Sequence, residues 1–358
     1  VYAQMSMYRA PSPRLRALAT AVPPFALNQG DVEEAGRRIF AGRSHAFERM
    51  RSIYANSGIE TRYSCVGLDW YFEDHGWRDR NTLYLDNAVA LIKKAALECL
   101  ERAELDPSEV DGIAVVSTTG IATPSLDALL LEEIPFRRTV QRLPIFGLGC
   151  AGGVLGLNRV ADLARAKPGS RWLFIVVELC GLTFRSRDLS KSNIVATALF
   201  GDGAAAMLVE NVEGDGTAIN GATEHTWPDS LDVMGWRLQE DGFGVLFSRD
   251  IPELVLNKLP PVLDQFLSEQ RLDLAAIDHF VPHPGGAKVL DALSDSLKLP
   301  QGALQHATNV LRDYGNMSAA TVFFVLDRCL SAGARGRLLL SALGPGFTAG
   351  FSILEQPS

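Results

Sequence analysis

The chain has 358 residues, 47% of them hydrophobic and 21% charged, with a formal net charge of -8. Such a composition describes a globular protein of two domains or one large double-layered unit, and the lack of a basic stripe excludes a nucleic-acid binder. The five cysteines (Cys65, Cys99, Cys150, Cys180 and Cys329) are scattered without a C-x-x-C pair, which argues against a zinc ribbon or redox motif and for a reducing, cytoplasmic setting.

In chain order, residues 1–13 read as an N-terminal tail without the apolar core of a signal peptide. Residues 40–82 are aromatic, charged and irregular, the pattern of an insertion packed over the first half. The spacing then predicts a buried strand over 112–117, a helix over 126–133 and a strand over 139–146. After Cys150, the positions Val154, Leu155, Leu157, Val160 and Leu163 follow helical spacing. Residues 171–177 form a strand with almost no polar interruption, suited to a sheet covered on both faces. The longest apolar run, 172–184, contains Glu178 and is too short to cross a bilayer.

The second half repeats this plan, with helices over 254–267, 287–297 and 317–330 and strands over 277–281 and 337–343. Two end segments are alike: Gly201-Asp202-Gly203 runs into an apolar strand ending at Glu210, and Gly344-Pro345-Gly346 into one ending at Glu355. Alternating strands and helices indicate α/β layers, and the likeness of the ends indicates an internal duplication with its seam near 210–216. The halves are then 14–210 and 211–358.

The chemistry concentrates at element boundaries. Cys150 lies in Gly147-Leu148-Gly149-Cys150-Ala151-Gly152-Gly153, where an apolar run turns into a helix. Unpaired N–H groups and the dipole at a helix start favour a thiolate, and such sites lower a cysteine pKa from roughly 8.5 to roughly 3.5–7.5. Cys150 therefore reads as a nucleophile, with a buried structural cysteine as the alternative. Gly147, Gly149 and Gly152 also satisfy G-x-G-x-x-G, but a dinucleotide site needs an acidic residue about 20 positions on, at the end of the next strand. Asp162 falls inside the helix pattern and Glu178 lies too far along. His283 is fixed between Pro282 and Pro284 at a strand end, and is either a turn histidine hydrogen-bonded to backbone or a partner for the cysteine. His279 lies within the strand and reads as structural; Pro282 forbids the helical spacing a zinc pair would use. Asn316, in Tyr314-Gly315-Asn316-Met317-Ser318, is either a helix cap or an amide donor. Taken together, Cys150 and His283 suit an ion-paired nucleophile, and Asn316 a donor to an oxygen that gains charge.

With these motifs in their order, together with Leu199-Phe200-Gly201-Asp202-Gly203, His283-Pro284-Gly285-Gly286 and Gly344-Pro345-Gly346, the chain resembles the type III polyketide synthases, the chalcone and stilbene synthase family. The resemblance runs from about Arg14 to Glu355. Ketoacyl synthases share Cys, His and Asn but typically carry His-Gln-Ala-Asn where this chain has His-Pro-Gly-Gly. The resemblance implies a thiolase-like, duplicated αβαβα layered fold. It implies a homodimer that takes coenzyme A thioesters directly, with no metal and no resident cofactor. It implies that Cys150 carries a starter acyl group, while His283 and Asn316 hold malonyl-CoA as it loses carbon dioxide.

The same resemblance implies that Phe200 and Phe247 are gatekeepers, that Thr123, Cys180 and Thr183 shape the acyl cavity, and that Arg49 and Lys288 meet coenzyme A. A cysteine at position 180, where plant members favour threonine, is similar to bacterial members with a tunnel for long acyl chains. That implies an aliphatic starter and an alkylpyrone or alkylresorcinol product. Ala46 stands where a lysine is usual, and the segment 49–62 is longer than in plant members. Two other readings remain at this point: a ketoacyl synthase that uses acyl carrier protein, and a non-catalytic acyl-CoA-binding protein of the same fold.

Overall fold

The computed structural model describes residues 12–40 and 42–357. Almost all of the expected tail, 1–13, therefore lies outside the described residues. The first half contains β1 (Arg14–Ala21), β2 (Phe25–Asn28), α1 (Gln29–Phe40), α2 (His45–Met50), α3 (Ser52–Ala55), β3 (Thr61–Ser64), α4 (Trp77–Arg102), β4 (Gly112–Val116), α5 (Leu126–Glu133), β5 (Gln141–Ile145), α6 (Gly152–Ala166), β6 (Arg171–Leu179), α7 (Lys191–Leu199) and β7 (Asp202–Glu210). The second contains β8 (Thr217–Thr226), β9 (Met234–Leu238), β10 (Phe243–Phe247), α8 (Ile251–Glu269), β11 (His279–Pro282), α9 (Ala287–Leu297), α10 (Gln305–Tyr314), α11 (Thr321–Ser331), β12 (Gly336–Gly344) and β13 (Thr348–Gln356).

Nine strands form one mixed sheet in the order β11-β12-β13-β8-β1-β7-β6-β4-β5. Its two parts repeat the same wiring. β1 runs antiparallel to β7, β7 antiparallel to β6, and β6 parallel to β4. β8, β13, β12 and β11 follow with the same directions. In the sheet the parts join where Arg14 and Leu15 of β1 pair with Ala218 and Thr217 of β8, and the Ile219 N–H donates to Pro13 O at 2.8 Å beside them.

Why the strands lack polar interruption follows from what covers them. Along β6, Leu173, Ile175 and Val177 join the core under α4 and α5, whereas Trp172, Phe174 and Val176 join the core around α6 and α11. Side chains alternate across a strand, so two covered faces require a continuous apolar run. α6 lies in the middle layer, packed against β6 on one side and β13 on the other, and α8 closes the far face by stacking Phe266 on Phe351 at 6.0 Å. The layers thus read helix, sheet, helix, sheet, helix.

Two expectations need correction. Residues 40–82 are not irregular: they hold α2, α3, β3 and the start of the 26-residue α4. Phe40, Phe47 and Tyr54 build a separate small core with Ile194 and Ala198 of α7. Nor does a helix begin at Met317. Ser318 has φ +48°, a left-handed value, so a single 3-10 turn (Ser318–Ala320) precedes α11.

The middle layer is tight because α6 presents glycines. A Cβ on Gly153 would overlap the Ala319 carbonyl oxygen, and one on Gly156 would lie 2.6 Å from Phe174. Overpacking of this kind costs roughly 1–3 kcal/mol. Gly153→Val should lower stability by about 2–3 kcal/mol in urea denaturation and cut turnover, since Cys150 sits three residues upstream.

Candidate active site

Cys150 occupies a 3-10 turn (Gly149–Ala151) that feeds α6. Gly147 (φ +93°) and Gly149 (φ +47°) make the reversal, and a Cβ on Gly149 would lie 2.5 Å from Pro345. The Gly344-Pro345-Gly346 loop therefore packs directly on the cysteine turn. His283 follows β11 at once, its backbone N–H donating to the Ser341 carbonyl of β12 at 2.7 Å. Asn316 is tied between α10 and α11: its N–H donates to Leu199 O at 2.8 Å, and its carbonyl accepts from Gly201 N–H at 2.9 Å.

These three side chains line one cavity, walled by Met234, Phe247, Ile251, Val255 and Leu343. The Asn316 amide is oriented by its neighbours. Its Oδ1 accepts from the Ser318 N–H at 2.8 Å, and its Nδ2 donates to Gly285 O at 3.1 Å. The oxygen thus acts as a cap while the nitrogen keeps a second N–H free to donate. Both ring nitrogens of His283 are buried without a hydrogen-bond partner among the described residues.

The expected lowering of the Cys150 pKa is not found. Burial pushes the thiol up to about 11; the hydrogen bond to Ser318 opposes this and the Glu178 carboxylate adds to it. Burial likewise pulls His283 down to about 4. Desolvation disfavours both charged forms, and it outweighs the helix N-terminus here. Glu178, fully buried on β6, accepts from Thr118 N–H at 3.0 Å and Thr119 Oγ1 at 2.9 Å, and burial raises its carboxyl to about 8.

The remaining expected residues separate. Phe247 borders the Cys150 cavity, whereas Phe200, Cys180 and Thr183 line a second, mostly apolar cavity with Leu27, Val32 and Ile39 that shares no lining residue with the first. Trp236, which the sequence reading missed, meets Phe200 edge-on at 6.2 Å. Thr123 is exposed and borders neither cavity. Arg49 and Lys288 stand on one open groove that reaches the Cys150 cavity through Phe247, Ile251, Gly285 and Val289. Two more cations on that groove, Lys191 and Arg249, had no signature in the sequence, because only folding brings α7, α9 and the β10–α8 turn to one rim.

Comparison with known proteins places this architecture. Residues 4–212 match the model for chalcone and stilbene synthases, N-terminal domain, and residues 218–353 match the one for the C-terminal domain. The chain belongs to the chalcone and stilbene synthase family. It is similar to a putative chalcone synthase of Bacillus subtilis, 37% identical over 93% of this chain and 96% of the relative. A 1,3,6,8-tetrahydroxynaphthalene synthase of Streptomyces peucetius is 37% identical over 95% of this chain and 92% of its own. Among solved structures, the tetrahydroxynaphthalene synthase of Streptomyces coelicolor, described as a bacterial type III polyketide synthase, superposes with a TM-score of 0.92 at 29% identity, covering 96% of this chain and 99% of that one. The chain is therefore a type III polyketide synthase, a condensing acyltransferase, and the carrier-protein-dependent and non-catalytic readings are set aside. Among the described residues no helix is long and apolar enough to cross a membrane.

The state of His283 has a measurable consequence. In an unfolded chain its imidazole protonates near pH 6.5, in the fold only near 4. Stability linked to it is intact above pH 6.5 and declines as pH falls toward 4, because only the unfolded state takes the proton. His283→Asn should lose roughly 2–3 kcal/mol less stability than the native protein between pH 7 and pH 4 in urea melts.

Proposed function

We propose that the enzyme loads a starter acyl group from coenzyme A onto Cys150 and extends it with malonyl-CoA by repeated decarboxylative Claisen condensation. The observation that carries this reading is the convergence of Cys150, His283 and Asn316, from remote segments, on one apolar cavity. The Cys150 proton passes to a ring nitrogen of His283, and the thiolate attacks the starter thioester carbonyl. The bond to the coenzyme A sulfur breaks, and that sulfur takes the proton from His283. Malonyl-CoA then enters, and His283 and the free N–H of Asn316 Nδ2 donate to its thioester oxygen. Loss of carbon dioxide leaves an enolate on that oxygen, where these donors act most strongly. The apolar wall favours neutral carbon dioxide over the malonyl carboxylate. The enolate carbon bonds to the Cys150 acyl carbon, the sulfur leaves, and the longer chain returns to it. Decarboxylation itself supplies the carbanion, so the route needs no metal and no resident cofactor.

The starter is aliphatic and long, and the product an alkylpyrone or alkylresorcinol. The apolar cavity around Cys180, Thr183, Val32 and Ile39, beside Phe200, supports this. The enzyme acts as a homodimer. Ile121 and Phe146, 48% and 60% exposed, emerge at one end of the edge strand β5 and its neighbour β4, an uncovered apolar face suited to a second copy. Thr123 lies on the same loop as Ile121, so its effect on an acyl cavity would be exerted across that interface. The five cysteines are free, in keeping with a reducing cytoplasm.

Incubation of labelled malonyl-CoA with octanoyl- to palmitoyl-CoA should give extended, cyclised products by mass spectrometry, and Cys150→Ala should give none. Exclusive use of 4-coumaroyl-CoA, or full yield from malonyl-CoA alone, would overturn the starter assignment.

The groove supports coenzyme A at the entrance. Arg49, Lys191, Arg249 and Lys288 are all exposed there in a chain of net charge -8, and none is held in an ion pair among the described residues. Phosphates would find four unpaired cations gathered on the rim of one groove that leads to the Cys150 cavity. The double change Lys191→Ala, Arg249→Ala should raise KM for an acyl-CoA roughly ten-fold with little change in kcat. It should leave N-acetylcysteamine thioesters, which lack the phosphates, unaffected.

A further inference from the structure

Among the described residues the Cys150 sulfur makes one side-chain hydrogen bond. Its thiol donates to the Ser318 hydroxyl oxygen with Sγ···Oγ 3.5 Å, and that hydroxyl has no other hydrogen-bond partner among the described residues. Ser318 is buried and holds φ +48°, a conformation that costs a non-glycine residue roughly 1–2 kcal/mol. Glycine would adopt it freely, so a side chain kept here at a backbone cost points to a use for that side chain. The backbone is locked on both sides. Asn316 Oδ1 accepts from the Ser318 N–H at 2.8 Å, and the Ser318 carbonyl accepts from Thr321 Oγ1 at 2.9 Å. Thr321 Oγ1 in turn accepts from Met317 N–H at 2.9 Å. The hydroxyl is thus presented to the sulfur by a rigid turn and needs only to rotate about its C–O bond to change from acceptor to donor.

We propose that Ser318 is a catalytic residue that donates its hydroxyl hydrogen to the Cys150 thiolate, and that Asn316, through Oδ1, is its positioning residue. The inference rests on Cys150 being the nucleophile. In the first step the S–H bond of Cys150 breaks and an N–H bond forms on His283; the Ser318 O–H bond stays intact and turns toward the sulfur. The same donor serves again when the sulfur leaves the acyl carbon during condensation. The need is physical. Around the sulfur, His283 from the turn after β11 lines the same cavity without a hydrogen bond to either ring nitrogen among the described residues, Glu178 on β6 and Cys180 just beyond β6 disfavour negative charge on it, and the Ser318 hydroxyl is the side chain hydrogen-bonded to it. Desolvation raises the thiol, and Ser318 is the side chain that opposes it.

The test is the pH dependence of Cys150 alkylation by iodoacetamide, followed by peptide mass spectrometry, in the full-length enzyme. Ser318→Ala should move the profile up by about one pH unit and slow alkylation roughly ten-fold at pH 7. Ser318→Gly should match Ser318→Ala, because it relieves the backbone but also lacks the hydroxyl. An unchanged profile in a folded Ser318→Ala protein overturns the proposal, as does a native profile in Ser318→Gly alone, which would make the effect one of backbone strain. Chain extension by Cys150→Ala, run alongside, would instead show that the nucleophile itself was misassigned.

Discussion

Everything in the site depends on how closely α6 is allowed to lie against the turn before α11. Gly153 rests where any side chain would strike the Ala319 carbonyl, and Gly152 and Gly156 leave equally little room against Val116 and Phe174. That contact brings the Cys150 turn of one half against the Asn316–Ser318 turn of the other. The Gly344-Pro345-Gly346 loop then closes over Gly149. Glycine in a helix costs roughly 1 kcal/mol against alanine, so three of them in the first five positions of α6 are retained for proximity and not for helix stability.

The close packing has an electrostatic consequence. Burial in a chamber walled by Met234, Ile251, Val255 and Leu343 disfavours charge on both the thiol and the imidazole. Charge must then be created by transfer within the site, next to donors already aimed at it. Asn316 illustrates the arrangement: its oxygen is spent on Ser318, which leaves the nitrogen for an incoming oxygen. The cations stay outside, on the rim of the groove, where water solvates them. Phe247, Ile251 and Val289 belong to both the rim and the chamber and form the boundary between the two environments. Such a division lets anionic substrates be gathered by charge and converted where charge is scarce.

Much of this was legible in the chain. The strands predicted over 112–117 and 171–177 and the helices over 126–133 and 287–297 stand close to β4, β6, α5 and α9, because their apolar patterns answer to local burial. The segment 40–82 was misjudged because its helices bury their aromatic side chains against α7, about 140 residues away, and carry no clean amphipathic period of their own. The helix start at Met317 failed for a different reason. Asn316 reads locally as either a cap or an amide donor, and nothing local announces that Ser318 will be held left-handed by the residues on either side. The thiol was expected to be acidic from its place at a helix start. How much water the surroundings would remove was not visible from that position.

Sequence alone determined the layered α/β class, the internal repeat, the family resemblance and the identity of the three side chains at element boundaries. These follow from periodicity and from motifs, which are properties of neighbours along the chain. Tertiary structure alone decided that Phe200 and Phe247 border different cavities, that Lys191 and Arg249 join Arg49 and Lys288 on one rim, and that Ser318 faces the sulfur. It also decided the protonation preferences, because burial and partners are properties of groups brought together from distant positions.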